Sequence, residues 1–232
     1  KCGWSSDVCS SDLCAPFNWR AYWDFGTGAL GDMGCHNMDL AFFALDLRDP
    51  VAVSAASSGI NADTAPKWSI VRYEFPERRG RGPVVLTWYD GGKKPSPTLV
   101  SQNELPGNGY IVIGSKDTLY VPSYWGKGTF MSGAHFEDFP GVRQTLPRHP
   151  AAAKDHDAAQ HLEWIEACKG KGKTLSHFGY AGPMTEAVLL GNVALRLGRR
   201  IEWDARHLKV TNAPEAAALV KPEYRKGWEW KG

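Results

Sequence analysis

The sequence predicts an α+β protein, on three observations: a glycine turn that runs into an apolar stretch near the start, a middle part in which apolar residues recur with period two, and a late stretch of period near 3.6. The first of these is Gly26-Thr27-Gly28-Ala29-Leu30-Gly31-Asp32-Met33-Gly34-Cys35-His36-Asn37-Met38-Asp39, followed by Leu40-Ala41-Phe42-Phe43-Ala44-Leu45-Asp46-Leu47. Together they are long enough for a helix of several turns, although each glycine inside it costs roughly 1 kcal/mol against alanine. A stop is expected near Arg48-Asp49-Pro50, where proline disfavours a helical preceding residue.

Period two begins after that proline. Val51 to Ala55, Trp68 to Phe75 and Val84 to Tyr89 are rich in β-branched and aromatic residues and are bounded by Gly, Pro and Asp, so three antiparallel neighbours are expected. Between them, Glu77-Arg78-Arg79-Gly80-Arg81-Gly82 is the most basic stretch and reads as a turn, with a phosphate site as the alternative. Gly91 to Asn108 is a long irregular excursion, and loops of that length often carry function. Tyr110 to Gly114 and Thr118 to Val121 read as a further hairpin. Pro122 to Ala153, with Tyr124-Trp125-Gly126, His135, Asp138, Arg143, Arg148 and His149, has no period and no assignable role.

The last third is helical again. Asp157 to Lys169 sets Leu162, Ile165 and Cys168 on one face, and Pro183 to Leu197 has proline in its expected first turn, apolar residues near period 3.6 and Gly198 to end it. Ile201-Glu202-Trp203 suits a short strand, and the tail from Lys221 carries two tryptophans that need cover.

Composition narrows the function classes. The chain has 232 residues, 43% hydrophobic and 22% charged, which is the balance of a globular protein. A formal net charge of +2 argues against nucleic acid or an anionic membrane surface as partner. The longest apolar run, near Leu40 to Leu45, is far below the roughly 18 residues that span a bilayer. Five cysteines, at positions 2, 9, 14, 35 and 168, form no C-x-x-C pair and no even framework, so a reducing, cytoplasmic setting is expected, with export left open. Residues 1–13 stand apart from the rest, residues 14–232. Trp4 to Leu13 resembles the in-frame translation of a sequencing-library adapter; the alternative is a disordered native terminus rich in Ser and Asp.

The candidate chemistry sits in the glycine-rich helix. Asp32 and His36 are four residues apart, which on a helix places carboxylate and imidazole on one face with about 6 Å between Cβ atoms. His36 can exchange a proton near neutral pH, and Asp32 or Asp39 can orient its ring; a histidine held for purely structural reasons fits the same spacing. Gly28, Gly31 and Gly34 would let a flat ligand or a second backbone approach closely. Just upstream, Trp19, Arg20, Trp23 and Asp24 combine aromatic faces with charged groups, a set that suits sugar rings or simply closes one end of the core. Metal-ligand spacing is absent from the sequence, as are a P-loop, a G-x-S-x-G elbow and a dinucleotide fingerprint following a strand.

From Pro16 onward the chain resembles the C-terminal, substrate-side domain of the Gfo/Idh/MocA oxidoreductases. The match is carried by Phe17-Asn18-Trp19-Arg20, by Asp32-Met33-Gly34-Cys35-His36 in the glycine turn, by Tyr180 to Arg196 and by Ile201-Glu202-Trp203-Asp204. The resemblance implies an open, largely antiparallel sheet with helices packed on one face, the other face used for contacts in a homo-oligomer. It also implies hydride transfer between a sugar or cyclitol carbinol and NAD or NADP, with Asp32 and His36 as the acid and histidine beside the reacting carbon and with Gly28 and Gly31 near the nicotinamide. The family's Rossmann domain, with its glycine loop and catalytic Lys-Pro, has no counterpart here, so a truncated, half-complete site is expected. Lys93-Lys94-Pro95 lies downstream in a loop and does not take the lysine's role. A stand-alone carbohydrate-binding or oligomerisation module is the alternative from another class, and redox-assisted glycoside cleavage or epimerisation the alternative within the family.

Overall fold

The computed structural model describes residues 17–123, 127–143, 145–221 and 223–229. The proposed foreign segment, three of the five cysteines, Tyr124-Trp125-Gly126 and the second tail tryptophan lie outside the described residues.

The glycine turn enters helix α1, Gly28–Asn37, which passes through Met38 into α2, Asp39–Leu45. Met38 itself keeps right-handed helical angles, and the bonds from its amide to Gly34 and from the Phe42 amide to Met38, both 2.9 Å, carry the axis across the joint. Asp46, left-handed at φ 46°, ends the helix before the expected Arg48-Asp49-Pro50 stop.

The three period-two segments form β1, Ala52–Ser57, β2, Ser69–Phe75, and β3, Val84–Tyr89. They are antiparallel neighbours, with Val53 opposite Tyr73 and Tyr73 opposite Leu86. The sequence continues through β4, Tyr110–Ile113, β5, Thr118–Val121, and β6, Thr129–Phe130, which make a separate three-stranded sheet. Then come α3, His156–Cys168, and α4, Phe178–Leu197, followed by β7, Ile201–Asp204, β8, Lys209–Val210, and the short α5, Ala217–Val220. The main sheet is an open antiparallel one of order β3-β2-β1-β7-β8, and the helices that build the core lie on one face of it.

Helix α4 is the centre of that core. Its Ala187, Val188, Leu190, Ala194 and Leu195 are buried with Val53, Val71, Tyr73, Phe75 and Ile201 of the sheet, each large apolar side chain adding about 1.5–3 kcal/mol on removal from water. Helix α1 lies on α4 in the opposite direction: Leu30 and Tyr73 both close on Gly191, and Gly34 lies beside Val188. Glycine is required at 191, since a Cβ there would stand 2.1 Å from the Tyr73 hydroxyl oxygen and 2.6 Å from a Leu30 methyl.

Two expectations need correction. Helix α4 begins at Phe178, so Pro183 is inside it and not in its first turn. The missing amide forfeits one bond, to Gly179, and the packing of nine buried residues further along the helix outweighs that loss. Helix α3 does have the expected period, yet it buries only Ala159; Leu162 and Ile165 remain more than a third exposed.

The basic stretch is a turn, as expected, with a structural task of its own. Arg79 and Gly80 both have positive φ between the bridged pair Arg78 and Arg81. Arg78 reaches the Asp46 carboxylate at 2.8 Å and Arg81 donates to the Leu45 carbonyl at 2.8 Å, so the turn braces the end of α2.

Candidate active site

The α1–α2 axis presents Leu30 and Gly34 to α4 and turns Asp32, His36 and Asp39 outward, all three exposed. One helical face therefore carries acid, imidazole and acid at i, i+4 and i+7, as the spacing requires. Leu40 and Phe43, at 49% and 39% exposure, extend this face with apolar surface.

Each flanking carboxylate is engaged from a different element. Arg20, in the 3-10 helix Asn18–Ala21, forms an ion pair with Asp32, and its guanidinium also lies 4.0 Å over the Phe17 ring. That short helix is tied to the loop before β2: the Ala65 amide donates to the Ala21 carbonyl at 2.7 Å and the Trp23 amide to Asp63 at 2.9 Å. Asp39 accepts from the Tyr180 hydroxyl of α4, and burial, followed by this hydrogen bond and the Asp39 charge, pushes the Tyr180 phenol well above its ordinary range. Tyr180 therefore remains a proton donor.

The sequence candidates separate in space. Arg20 is brought to Asp32, so its charge serves the acid. Trp23 faces the other end of α4, with the Arg196 guanidinium 5.3 Å from its ring and its indole nitrogen buried without a partner. Trp19, about half exposed, neighbours Phe25 at 6.5 Å, and Asp24 is exposed. The close approaches that Gly28 and Gly31 permit are made by the chain's own atoms. Gly28 is buried at φ 65° with the Ala65 methyl 2.6 Å from where its Cβ would be, and a Cβ on Gly31 would collide with the Thr27 side chain. Asn192 of α4 completes this end of the helix by donating to the Thr27 carbonyl at 3.1 Å.

Other polar groups near the helix have structural partners. Burial pushes the Cys35 thiol up, which keeps it protonated and a poor nucleophile at neutral pH. Asn37 donates to Asn108 at 3.4 Å, so the long 91–108 excursion returns to the end of α1. Lys94 donates to the Leu105 carbonyl at 2.5 Å and Lys93 sits 4.6 Å over the Trp68 ring, a bracing role for both. Among the described residues no three His, Cys, Asp or Glu side chains converge as a metal site would require. No helix among them is long and apolar enough to cross a membrane.

That Asp32 and His36 share one helical face was legible from their spacing alone. Tyr180 and Arg20 as holders of the two acids were not, because Tyr180 is 141 residues from Asp39 and only the fold joins them.

Comparison with known proteins gives a consistent assignment. The model of the GFO/IDH/MocA C-terminal domain matches residues 3–120, a span that includes α1 through β4, ends within β5 and begins within the segment set apart above. A solved structure, an NAD-binding protein from Listeria innocua, is similar over 81% of this chain and 51% of that one, with a TM-score of 0.51 and 15% identity, a likeness of fold. The chain thus spans about half the length of that protein. No curated protein matches. With half of its length under the family model, and with an open antiparallel sheet backed by helices, this chain belongs to the Gfo/Idh/MocA oxidoreductase family, through its C-terminal domain.

Proposed function

We propose that the chain supplies the substrate side of an NAD(P)-dependent oxidoreductase acting on a hydroxyl-bearing carbon of a sugar or cyclitol. The observation that carries this reading is the exposed Asp32-His36-Asp39 face, held in place by Arg20 and Tyr180. In the oxidative direction His36 takes the hydroxyl proton as the carbonyl forms, and in the reverse direction it returns it. Asp32 and Asp39 place negative charge on the same face, beside the imidazole. Arg20 limits that charge and fixes the Asp32 carboxylate.

The described residues do not form a dinucleotide cradle. Gly28 and Gly31, the candidates for nicotinamide contact, are closed by Ala65 and Thr27. NAD(P) is the hydride acceptor or donor in this reading, and the proposal assigns its binding to the nucleotide-binding half found elsewhere in the family. Proton exchange, substrate orientation and one wall of the site fall to this chain.

A second contact belongs to the same reading. The outer face of the sheet carries Ile70, Val85 and a charge ladder in which Arg200 reaches Glu74 at 3.4 Å and Glu202 at 3.0 Å. Such alternating charge is compatible with a two-fold partner, and we assign homo-oligomer contacts to this face. Sedimentation equilibrium tests it: a monomer at all concentrations removes the assignment.

The main experiment assays the full-length product of the locus with NAD or NADP against a panel of sugars and cyclitols, following absorbance of the reduced nicotinamide. Turnover of at least one polyol is expected. Absence of nucleotide reduction across the panel, together with calorimetric sugar binding by this chain alone, would replace the reading with a carbohydrate-binding module.

A further inference from the structure

Between the end of α2 and the start of α4 lies a cavity of about 300 Å³ that the proposed proton chemistry does not use. Phe42, Phe43, Leu175 and Tyr180 give it apolar walls, while Arg48 and His177 supply its donors. Tyr180 stands edge-on to Phe43 at 5.5 Å, so the aromatic wall is fixed by packing.

A cluster of arginines surrounds the one acid at the cavity wall. Asp46, also at the wall, accepts from Arg78 at 2.8 Å and has Arg79 at 3.4 Å. Hydrogen bonding from Arg78 is the main reason its carboxyl is held below the usual carboxylate range. Arg48 is the third cation: its Nε is 3.4 Å from Asp46, too poorly aligned for a hydrogen bond, and that nitrogen is buried with no acceptor. Asp49, 3.7 Å from Arg78, is the second acid of the group. Arg78 and Arg79 thus engage Asp46 from outside the cavity lining, and the Arg48 Nε is left as an unsatisfied donor beside an apolar wall. The first turn of α4 brings no acid to the cavity, and Glu186, further along that helix on the Asp49 side, accepts from the Trp203 indole. On the open side the His177 ring folds back over Gly179, where a Cβ would come within 3.1 Å of Nδ1.

We propose that this cavity binds a small organic carboxylate with a flat apolar body, the carboxylate on Arg48 and His177 and the body against Phe43, Leu175 and Tyr180. Arginine presents a planar fork that suits a carboxylate, and rearrangement of Arg48 toward the ligand would satisfy the donor that Asp46 leaves unpaired. The inference stands on this cavity alone and does not depend on the reaction assigned to His36.

The test uses the 232-residue chain with benzoate and its neutral isostere benzamide, read by calorimetry and by saturable shifts of the histidine ring resonances. Saturable benzoate binding is expected, at least about tenfold tighter than benzamide, with Arg48→Met reducing benzoate affinity by a similar factor. Equal binding of the two probes, no saturable binding, or unchanged affinity in a folded Arg48→Met variant overturns the proposal. Should Arg48→Met fail to fold, the comparison of the two probes on the unaltered chain decides it.

Discussion

Tyr180 donates its phenolic hydrogen to the Asp39 carboxylate, with the main-chain oxygen of the same residue 3.0 Å from the hydroxyl, and so joins the first turn of α4 to the joint between α1 and α2. Tyr180→Phe keeps the ring against Phe43 and removes only this link. A loss of about 1 kcal/mol in urea unfolding is expected, the usual net worth of one hydrogen bond when its acceptor can return to water. The sign with pH follows from the raised phenol. The unfolded tyrosine ionises near pH 10 while the folded one resists, so the unaltered chain loses stability as pH rises above about 10. Tyr180→Phe should lose less over that interval; parallel alkaline limbs in the two proteins would remove Tyr180 as their cause.

Tyr73 supports the opposite expectation. It is wholly buried beneath α4, burial drives its phenol far above the ordinary range, and its hydroxyl has no hydrogen-bond partner. An unpaired buried hydroxyl costs on the order of 1–3 kcal/mol, so Tyr73→Phe should be neutral or stabilising in denaturant titration. Gly191→Ala, by contrast, drives a methyl into that hydroxyl and into Leu30, and a loss of at least about 2 kcal/mol is expected. Adding Tyr73→Phe should recover part of it, because the double variant removes the nearest clashing atom. A marked loss from Tyr73→Phe alone would mean that the hydroxyl has a partner after all.

The sheet and the shared face of Asp32 and His36 were readable from the chain because both rest on local period. Alternation placed β1, β2 and β3 within a residue or two, and the four-residue spacing put Asp32 and His36 on one helical face. What escaped the sequence depends on contacts between distant segments. Gly31 and Gly34 look like room for a ligand, yet their space is taken by Thr27 and Val188. The start of α4 was placed five residues late since Pro183 suits a first turn, and only the packed helix shows that five more residues precede it. Arg20, read as a sugar contact, is bound to Asp32, a pairing that depends on the fold of the preceding turn. The exposed apolar residues of α3 had the pattern of a buried face; amphipathic period says which residues share a face, not what covers it.

Asp46 gives a pH-dependent expectation at the other end of α2. Its carboxyl is held low chiefly by the Arg78 hydrogen bond, so its contribution is present above the unfolded value near pH 3.9 and fades as pH falls through the lower folded value. Asp46→Asn keeps the left-handed backbone, which asparagine tolerates, but lacks the charge. Its stability loss relative to the unaltered chain should be under about 1 kcal/mol at pH 7, as for partly exposed pairs, and should shrink below about pH 4. Thermal unfolding at pH 7 and pH 3 measures both; a difference that grows in acid would assign the effect to something other than the Asp46 charge.

His36→Ala is the substitution on which the proposed reaction depends most directly. The residue is exposed and contributes nothing to the buried face of α1, so unfolding of the altered chain should stay within about 0.5 kcal/mol of the unaltered one. In the full-length product, turnover with the best polyol should fall by about 10²-fold or more, the scale of losing a general acid–base group. The fall should appear in kcat, with nucleotide affinity unchanged, because the described residues around His36 form no dinucleotide cradle. Arg20→Ala is the companion: it frees the Asp32 carboxylate without touching the imidazole, and a smaller fall, of about tenfold, is expected if Arg20 only fixes that acid. Full turnover in His36→Ala would leave the histidine a surface residue and move the proton chemistry elsewhere. A large fall in Arg20→Ala with none in His36→Ala would assign the arginine, not the imidazole, to the substrate.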